Sequence, residues 1–312
     1  MKTELIIGTR QSLLALWQSN HIAALLRERY PECKVVLKKI VTKGDRILDV
    51  PLAKIGGKGL FTKEIESELL DGTIDLAVHS LKDMPTVLPS GLCLTAITER
   101  ANVGDAFVSN KYASLAELPE GAVLGTSSLR RRAQLLAARP DLKIVDLRGN
   151  VDTRLRKLDE GQMDAVILAA AGLERLGYGN RIREVIPSSV CLPAVGQGAL
   201  AIECREGDAE TRAMLDFLND KATRLATAAE RAFLGLVEGG CQVPIGVHAD
   251  VSGESIAIEA IIASLDGSKL LRRRTEGAAV DGVALAESLG REMLASGGAE
   301  ILREIGIGAD KN

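Results

Sequence analysis

The pair Lys82-Asp83 follows an apolar run, Ile74 to Val78, and is closed off by Pro85. A carboxylate among cations stays ionised, and it can stabilise a cationic intermediate or relay protons. A helix cap or a salt bridge is the structural alternative that the spacing equally allows. Arginines recur at the ends of other apolar runs: Arg130 and Arg131 behind Gly125-Thr126-Ser127-Ser128, Arg148 in Leu147-Arg148-Gly149-Asn150, Arg154 one helical turn beyond Asn150, and Arg175. Guanidinium forks suit carboxylates and phosphates, and the Thr126, Ser127 and Ser128 hydroxyls add donors. Arg132, Arg139 and Arg156 are read as a solvated helix face. The last reactive candidate is Cys241, in Glu238-Gly239-Gly240-Cys241-Gln242-Val243-Pro244. Glycines and a proline at that spacing predict a turn with the thiol at its tip, able to act as a nucleophile or an anchor. The plainer alternative is a small apolar residue filling the turn.

The elements that must position these groups alternate between strand and helix. Leu5-Ile6-Ile7 is broken by Gly8-Thr9-Arg10-Gln11-Ser12 and followed by a helical pattern from Leu13 to Tyr30, then a strand over Val35–Val41. Residues 43–59 are glycine-rich, resist assignment and are read as a mobile loop; a helix over Leu60–Leu70 and the strand Ile74–Val78 follow. Around residue 100 the pattern restarts. Val123-Leu124 leads into Gly125-Thr126, a helix to Ala138, a strand over Lys143–Leu147, a helix over Val151–Asp159 and a strand over Ala165–Leu168. Ile7-Gly8-Thr9 echoes Leu124-Gly125-Thr126, and Asp75-Leu76-Ala77-Val78 echoes Asp164-Ala165-Val166-Ile167. The expectation is an α/β fold of two facing type II periplasmic-binding-protein-like lobes with a smaller C-terminal α+β domain. The first lobe takes residues 1–98 with 195–217, the second 99–194, and the third unit 218–312. Helices are expected over Asp208–Asn219, Ala222–Val237 and Gly282–Ala295, with alternation over Gly246–Ala263 and a pairing segment over Lys269–Thr275. Ligands of open α/β sheets lie beyond the carboxyl ends of the strands, where Asp83 and the arginines fall.

A chain of 312 residues exceeds what one core usually supports, which agrees with three units. Residues 125–157 hold seven arginines and two lysines against three aspartates, a local +6 in a chain of net −3. A basic patch on an otherwise acidic protein predicts a specific anionic ligand. Aromatic residues at 3% argue against a nucleic-acid partner. No run is long enough for a membrane span, no export signal is read at the start, and five scattered cysteines predict a reducing cytoplasm. Gly56-Gly57-Lys58-Gly59 lacks the spacing of a nucleotide-binding phosphate loop, Gly125-Thr126-Ser127-Ser128 is not a hydrolase elbow, and no zinc-ligand spacing is present.

Five motifs together, His79-Ser80-Leu81-Lys82-Asp83, Gly125-Thr126-Ser127-Ser128-Leu129-Arg130-Arg131, Leu147-Arg148-Gly149-Asn150-Val151, Leu192-Pro193-Ala194-Val195-Gly196-Gln197-Gly198 and Gly239-Gly240-Cys241-Gln242-Val243-Pro244-Ile245-Gly246, resemble the porphobilinogen deaminase family, also called hydroxymethylbilane synthase. The resemblance runs in order from about residue 3 to residue 250 and is looser beyond. It implies a transferase that joins four porphobilinogen molecules head to tail into hydroxymethylbilane, releasing one ammonia from each. It also implies a dipyrromethane cofactor on Cys241 through a thioether, and Asp83 as the catalytic carboxylate. Lys82, Asp83, Ser80, Thr126, Ser128, Arg130, Arg131 and Arg148 match cofactor-binding positions. Arg10, Ser12, Arg148, Arg154, Arg175 and Gln197 match substrate-binding positions, and Lys54, Lys58 and Phe61 the lid loop. A monomer in the cytoplasm that hands its product to a downstream cyclising synthase is implied too. The reading from another class is a non-catalytic two-lobed protein for a small anion, which leaves Asp83 and Cys241 without a role.

Overall fold

The computed structural model describes residues 2–46, 60–237 and 243–306; Lys54, Lys58 and Cys241 lie outside these. The first sheet contains β1 (Glu4–Thr9), β2 (Lys34–Lys39), β3 (Leu76–Ser80), β4 (Leu92–Ile97) and a late strand, β10 (Leu200–Arg205), in the order β2-β1-β3-β10-β4. β1 pairs in parallel with both β2 and β3, while β10 runs antiparallel between β3 and β4. The second sheet repeats this plan with β5 (Asp105–Val108), β6 (Val123–Gly125), β7 (Lys143–Val145), β8 (Ala165–Ala169) and β9 (Glu184–Ile186), in the order β7-β6-β8-β5-β9. Its antiparallel member is β5. Each lobe therefore has one reversed strand next to an edge, and the chain crosses between the lobes just before β5 and again before β10. That is the type II plan of two facing α/β lobes.

The repeated Asp-x-Ala/Val signature has a structural cause. Asp75 accepts from the Ile6 N–H at 2.8 Å while its own N–H donates to the Ile6 carbonyl. Asp164 treats Val123 in the same way, at 2.9 Å for both bonds. One aspartate in each lobe thus fixes the register of two parallel strands, β1 against β3 and β6 against β8. The central strands bury Leu5, Ile7, Leu76 and Val78 in one lobe and Leu124, Val166 and Ile167 in the other. Strands covered on both faces read as near-continuous apolar runs, which is why their positions stand out in the sequence.

The edges of the pattern differ from expectation. β2 ends at Lys39 and β7 at Val145, short of Val41 and Leu147. The helix expected from Leu60 begins at Lys63, and a helical turn covers Lys43–Arg46 at the start of the 43–59 segment. β4, β5 and β9 were not expected: β5 and β9 are four and three residues long, too short for a period to show. The helix expected over Asp208–Asn219 is Ala209–Leu215 followed by a tight turn, Asp216–Leu218.

The C-terminal unit is a meander of β11 (Ile245–Ser252), β12 (Ser255–Ala263) and β13 (Leu270–Ala278). The alternation over Gly246–Ala263 is therefore a hairpin rather than one strand, with Ser252 opposite Ser255 and Gly253 at positive φ in a two-residue turn. Helices Lys221–Leu236 and Gly282–Met293 pack on this sheet around Phe233, Ile258, Leu289 and Met293. Among the described residues no helix is long and apolar enough to cross a membrane.

Candidate active site

Strand ends and helix starts deliver the site. β1 ends at Thr9, and Ser12 caps the helix Leu13–Arg29 by accepting from the Ala15 N–H. β3 ends at Ser80 and passes into a tight turn, Leu81–Asp83. In the second lobe β6 ends at Gly125, Thr126 accepts from the Ser128 N–H, and Ser128 caps Leu129–Ala138 through the Arg131 N–H. These caps use hydroxyl lone pairs and leave each O–H proton able to donate. Ser127 binds both the N–H and the carbonyl of Leu147, at 2.9 and 3.0 Å, which places the loop carrying Arg148 beside the first turn of that helix.

One pocket in the first lobe is lined by Arg10, Ser12, Gln18, Phe61, Ser80 and Asp83, together with Thr62 and His79. Arg10 lies over the Phe61 ring, 4.2 Å from its centre. Gln18 donates to Ser80 at 2.8 Å, and His79 is paired with buried Glu203 at 3.1 Å. Asp83 is exposed.

Cations from both lobes gather near Asp83. Burial pushes the Lys82 ammonium down to about 8, helped by Arg131 and Arg130 and opposed by the negative charges of Asp83 and Asp105. Burial likewise lowers Arg154 to about 10, with Arg131 and Arg148 adding to the shift and Asp83 opposing it. Lys82 and Asp83 of one lobe therefore share an electrostatic neighbourhood with Arg131, Arg148 and Arg154 of the other. Arg154 also donates from Nε to the Gly149 carbonyl. Arg148 differs from its neighbours: its Nη1 is buried and has no hydrogen-bond partner among the described residues. A buried cationic donor left unpaired is costly, and an anionic ligand would satisfy it.

Arg130 and Arg131 are placed differently from the open forks that their spacing suggests. Both are buried and meet Asp105, Arg130 from Nη1 at 2.6 Å and Arg131 from Nε and Nη2 at 2.9 and 2.7 Å. Burial alone would raise the Asp105 pKa, but the two guanidiniums outweigh it and hold the carboxyl far below its usual range. Gln197 completes the cluster: its Nε2 donates to Asp105 at 2.9 Å and to the Val103 carbonyl at 2.7 Å, and its Oε1 faces the Lys82 ammonium at 3.4 Å. Arg175 donates to the Gly198 carbonyl at 2.7 Å and lies over Trp17. Arg132 and Arg156 are exposed as expected. Arg139 is instead half-buried, bound to Asp141 and to the Leu115 and Leu118 carbonyls. Asp105 was missed: a lone aspartate opening a four-residue strand carries no sequence signal, and its partners lie 25 to 92 positions away.

The residues present fit a dense polycarboxylate. Lys82, Arg148 and Arg154 lie in one electrostatic neighbourhood, and Arg148 has a donor to spare among the described residues.

Comparison with known proteins agrees with this chemistry. The family model "Porphobilinogen deaminase, dipyromethane cofactor binding domain" matches residues 5–213, and "Porphobilinogen deaminase, C-terminal domain" matches residues 224–295. The chain is 54% identical to a porphobilinogen deaminase of Geobacter sulfurreducens over 96% of its own length and 94% of the relative. It is 53% identical to one of Desulforudis audaxviator over 99% and 100%. A solved structure of the periplasmic aliphatic sulphonate binding protein from Escherichia coli overlaps at 16% identity with a TM-score of 0.40, covering 75% of this chain and 70% of that one. That overlay is partial, and the lobe architecture rests on the strand orders above. With both family models matched in order and over half of all positions identical along nearly the whole length, the chain belongs to the porphobilinogen deaminase family.

Proposed function

We propose that Asp83 is the catalytic carboxylate of this transferase and that Cys241 carries its dipyrromethane through a thioether. The family's reaction joins four porphobilinogen molecules head to tail into hydroxymethylbilane. In each cycle the C–N bond of the substrate's aminomethyl group breaks, ammonia leaves with an added proton, and the substrate becomes an azafulvenium cation. When bound, the dipyrromethane supplies the pyrrole carbon to which the first such unit is joined.

This chain's own contribution is charge and position. Asp83, exposed at the end of β3, provides the negative charge that stabilises the cation, takes the proton lost from the attacked ring carbon and returns one to the leaving amine. Lys82, Arg148 and Arg154 hold acetate and propionate side chains, with Arg10 and Arg175 at the margins of the cleft. Ser12, Ser80, Thr126 and Ser128 add hydroxyl donors. Arg130 and Arg131 act through Asp105, and Gln197 ties that cluster to Lys82. Lys54 and Lys58 belong to the lid loop of residues 43–59, and Phe61 stands beside it. The reading includes a division into 1–98 with 195–217, 99–194 and 218–312, a monomeric cytoplasmic enzyme, and a product passed to a cyclising synthase.

The observation that carries the reading is the buried Nη1 of Arg148, without a hydrogen-bond partner among the described residues, on a guanidinium whose charge acts on Arg154. Arg148→Leu should fail to assemble the cofactor or to elongate it, as followed by the masses of enzyme-bound intermediates. Full elongation by that variant would remove Arg148 from the site.

A further inference from the structure

The turn that presents Asp83 is held from both sides by parts of the chain remote in sequence. On its leading side, the Leu81 N–H donates to the Ala199 carbonyl at 3.0 Å, and the Leu81 side chain packs against Gly196, where an added Cβ would come within 2.7 Å of it. On its trailing side the backbone has little of its own to hold it. Pro85 and Pro89 have no N–H to give, and residues 84–89 belong to no strand. There Arg231 reaches in from the helix Lys221–Leu236. Its Nη1 donates to the Met84 carbonyl at 3.3 Å, and its Nη2 donates to the Pro85 and Thr86 carbonyls at 2.5 and 3.2 Å. One planar cation therefore gathers three successive peptide carbonyls directly after Asp83.

The helix that supplies Arg231 is itself anchored. Asp220 caps it through the Thr223 N–H at 2.7 Å, and its own N–H donates to the Ile97 carbonyl of β4. Arg224 donates to the Thr95 carbonyl at 2.7 Å. Glu230, fully buried, binds Arg100 at 2.6 Å and accepts from the Gly196 and Ala249 N–H groups. Neighbouring residues 230 and 231 thus grip the lobe crossing and the Asp83 turn. The same helix ends at Leu236, and the chain runs on directly to Cys241.

We propose that Arg231 is a positioning residue for the reaction: by fixing the carbonyls that follow Asp83, it sets where that carboxylate stands relative to the helix leading to Cys241. The proposal rests on the reading of Asp83 as the catalytic carboxylate. A carboxylate that must already face developing positive charge loses much of its effect when it shifts by about 1 Å.

A double-mutant cycle on cofactor-loaded protein tests this, with loading checked by intact mass. Arg231→Gln alone should lower kcat by roughly ten- to a hundredfold with KM within about twofold. In the Asp83→Asn background the same change should alter residual turnover by less than about twofold, because there is no longer a carboxylate to place. If Arg231→Gln does not fold, Arg231→Lys, which keeps a donor but loses the fork, takes its place in the cycle. Normal kcat in the single variant, or losses that multiply in the double variant, would overturn the proposal while leaving Asp83 in its role. Loss of primer loading with unchanged kcat in the loaded fraction would also overturn it. Normal turnover by Asp83→Asn alone would instead remove the reading on which it rests.

Discussion

Asp83 has the setting that stabilisation of a cation requires. It is exposed at a strand end, within the electrostatic reach of Lys82 and Arg154, so its charge is available before the substrate's own charge develops. Asp83→Asn keeps the shape and removes the charge and the proton site. It should lower kcat by about a hundred- to ten-thousandfold with little change in substrate affinity, read from steady-state ammonia release. Lys82 makes a second case. Since burial brings its ammonium down to about 8, its attraction for carboxylates should weaken as pH rises through that value. Porphobilinogen binding by primer-free Cys241→Ser protein should show this alkaline loss, and Lys82→Gln should abolish the dependence while binding more weakly at neutral pH. Lys82, Asp83 and Arg148 stood out in the sequence because each lies within a few positions of the end of an apolar run. Asp105 and Arg231 were not, since each acts on partners far away in the chain: Arg231 meets a turn about 146 positions earlier.

At the scale of elements, the crossings between lobes carry the construction. Gln197 from the second crossing binds the Val103 carbonyl of the first, and Gly198, at φ +93°, lies so close to it that a Cβ would stand 2.5 Å from the Ala101 carbonyl oxygen. The glycine is required there by backbone approach as well as by conformation. Asp105, at the start of β5, joins this crossing to the arginine helix. Asp105→Asn would leave two buried guanidiniums without their counter-charge, and a stability loss of about 3–5 kcal/mol is expected in denaturant unfolding. The acid dependence has a definite sign. The folded carboxyl is held below its unfolded value of 3.8, so the unfolded chain takes up the proton first as pH falls. The contribution of Asp105 is therefore complete above about pH 4–5 and lost as pH falls below that, and the variant should lack this acid-sensitive part. The strand–Gly-Thr–helix units were readable because buried parallel strands carry long apolar runs. The reversed strands were harder: β5 has four residues, and the place of β10 beside β3 is fixed by contacts 120 to 128 positions apart.

The whole molecule joins a duplicated two-lobed frame to a third unit. The duplication extends to the backbone bonds of Asp75 and Asp164, and the third unit is fastened to the frame through Glu230 and Arg231 on one helix. The helix Lys221–Leu236 that fastens the third unit also reaches the turn that carries Asp83, through Arg231. The central claim is that a primer made from substrate is tethered at Cys241 and extended against Asp83. Its most direct test is the intact mass of the protein as purified, compared with that of Cys241→Ser. The account predicts an excess equal to two deaminated porphobilinogen units in the native chain and none in the variant. A native chain that is active at its unmodified mass, or an excess that persists in Cys241→Ser, would contradict it.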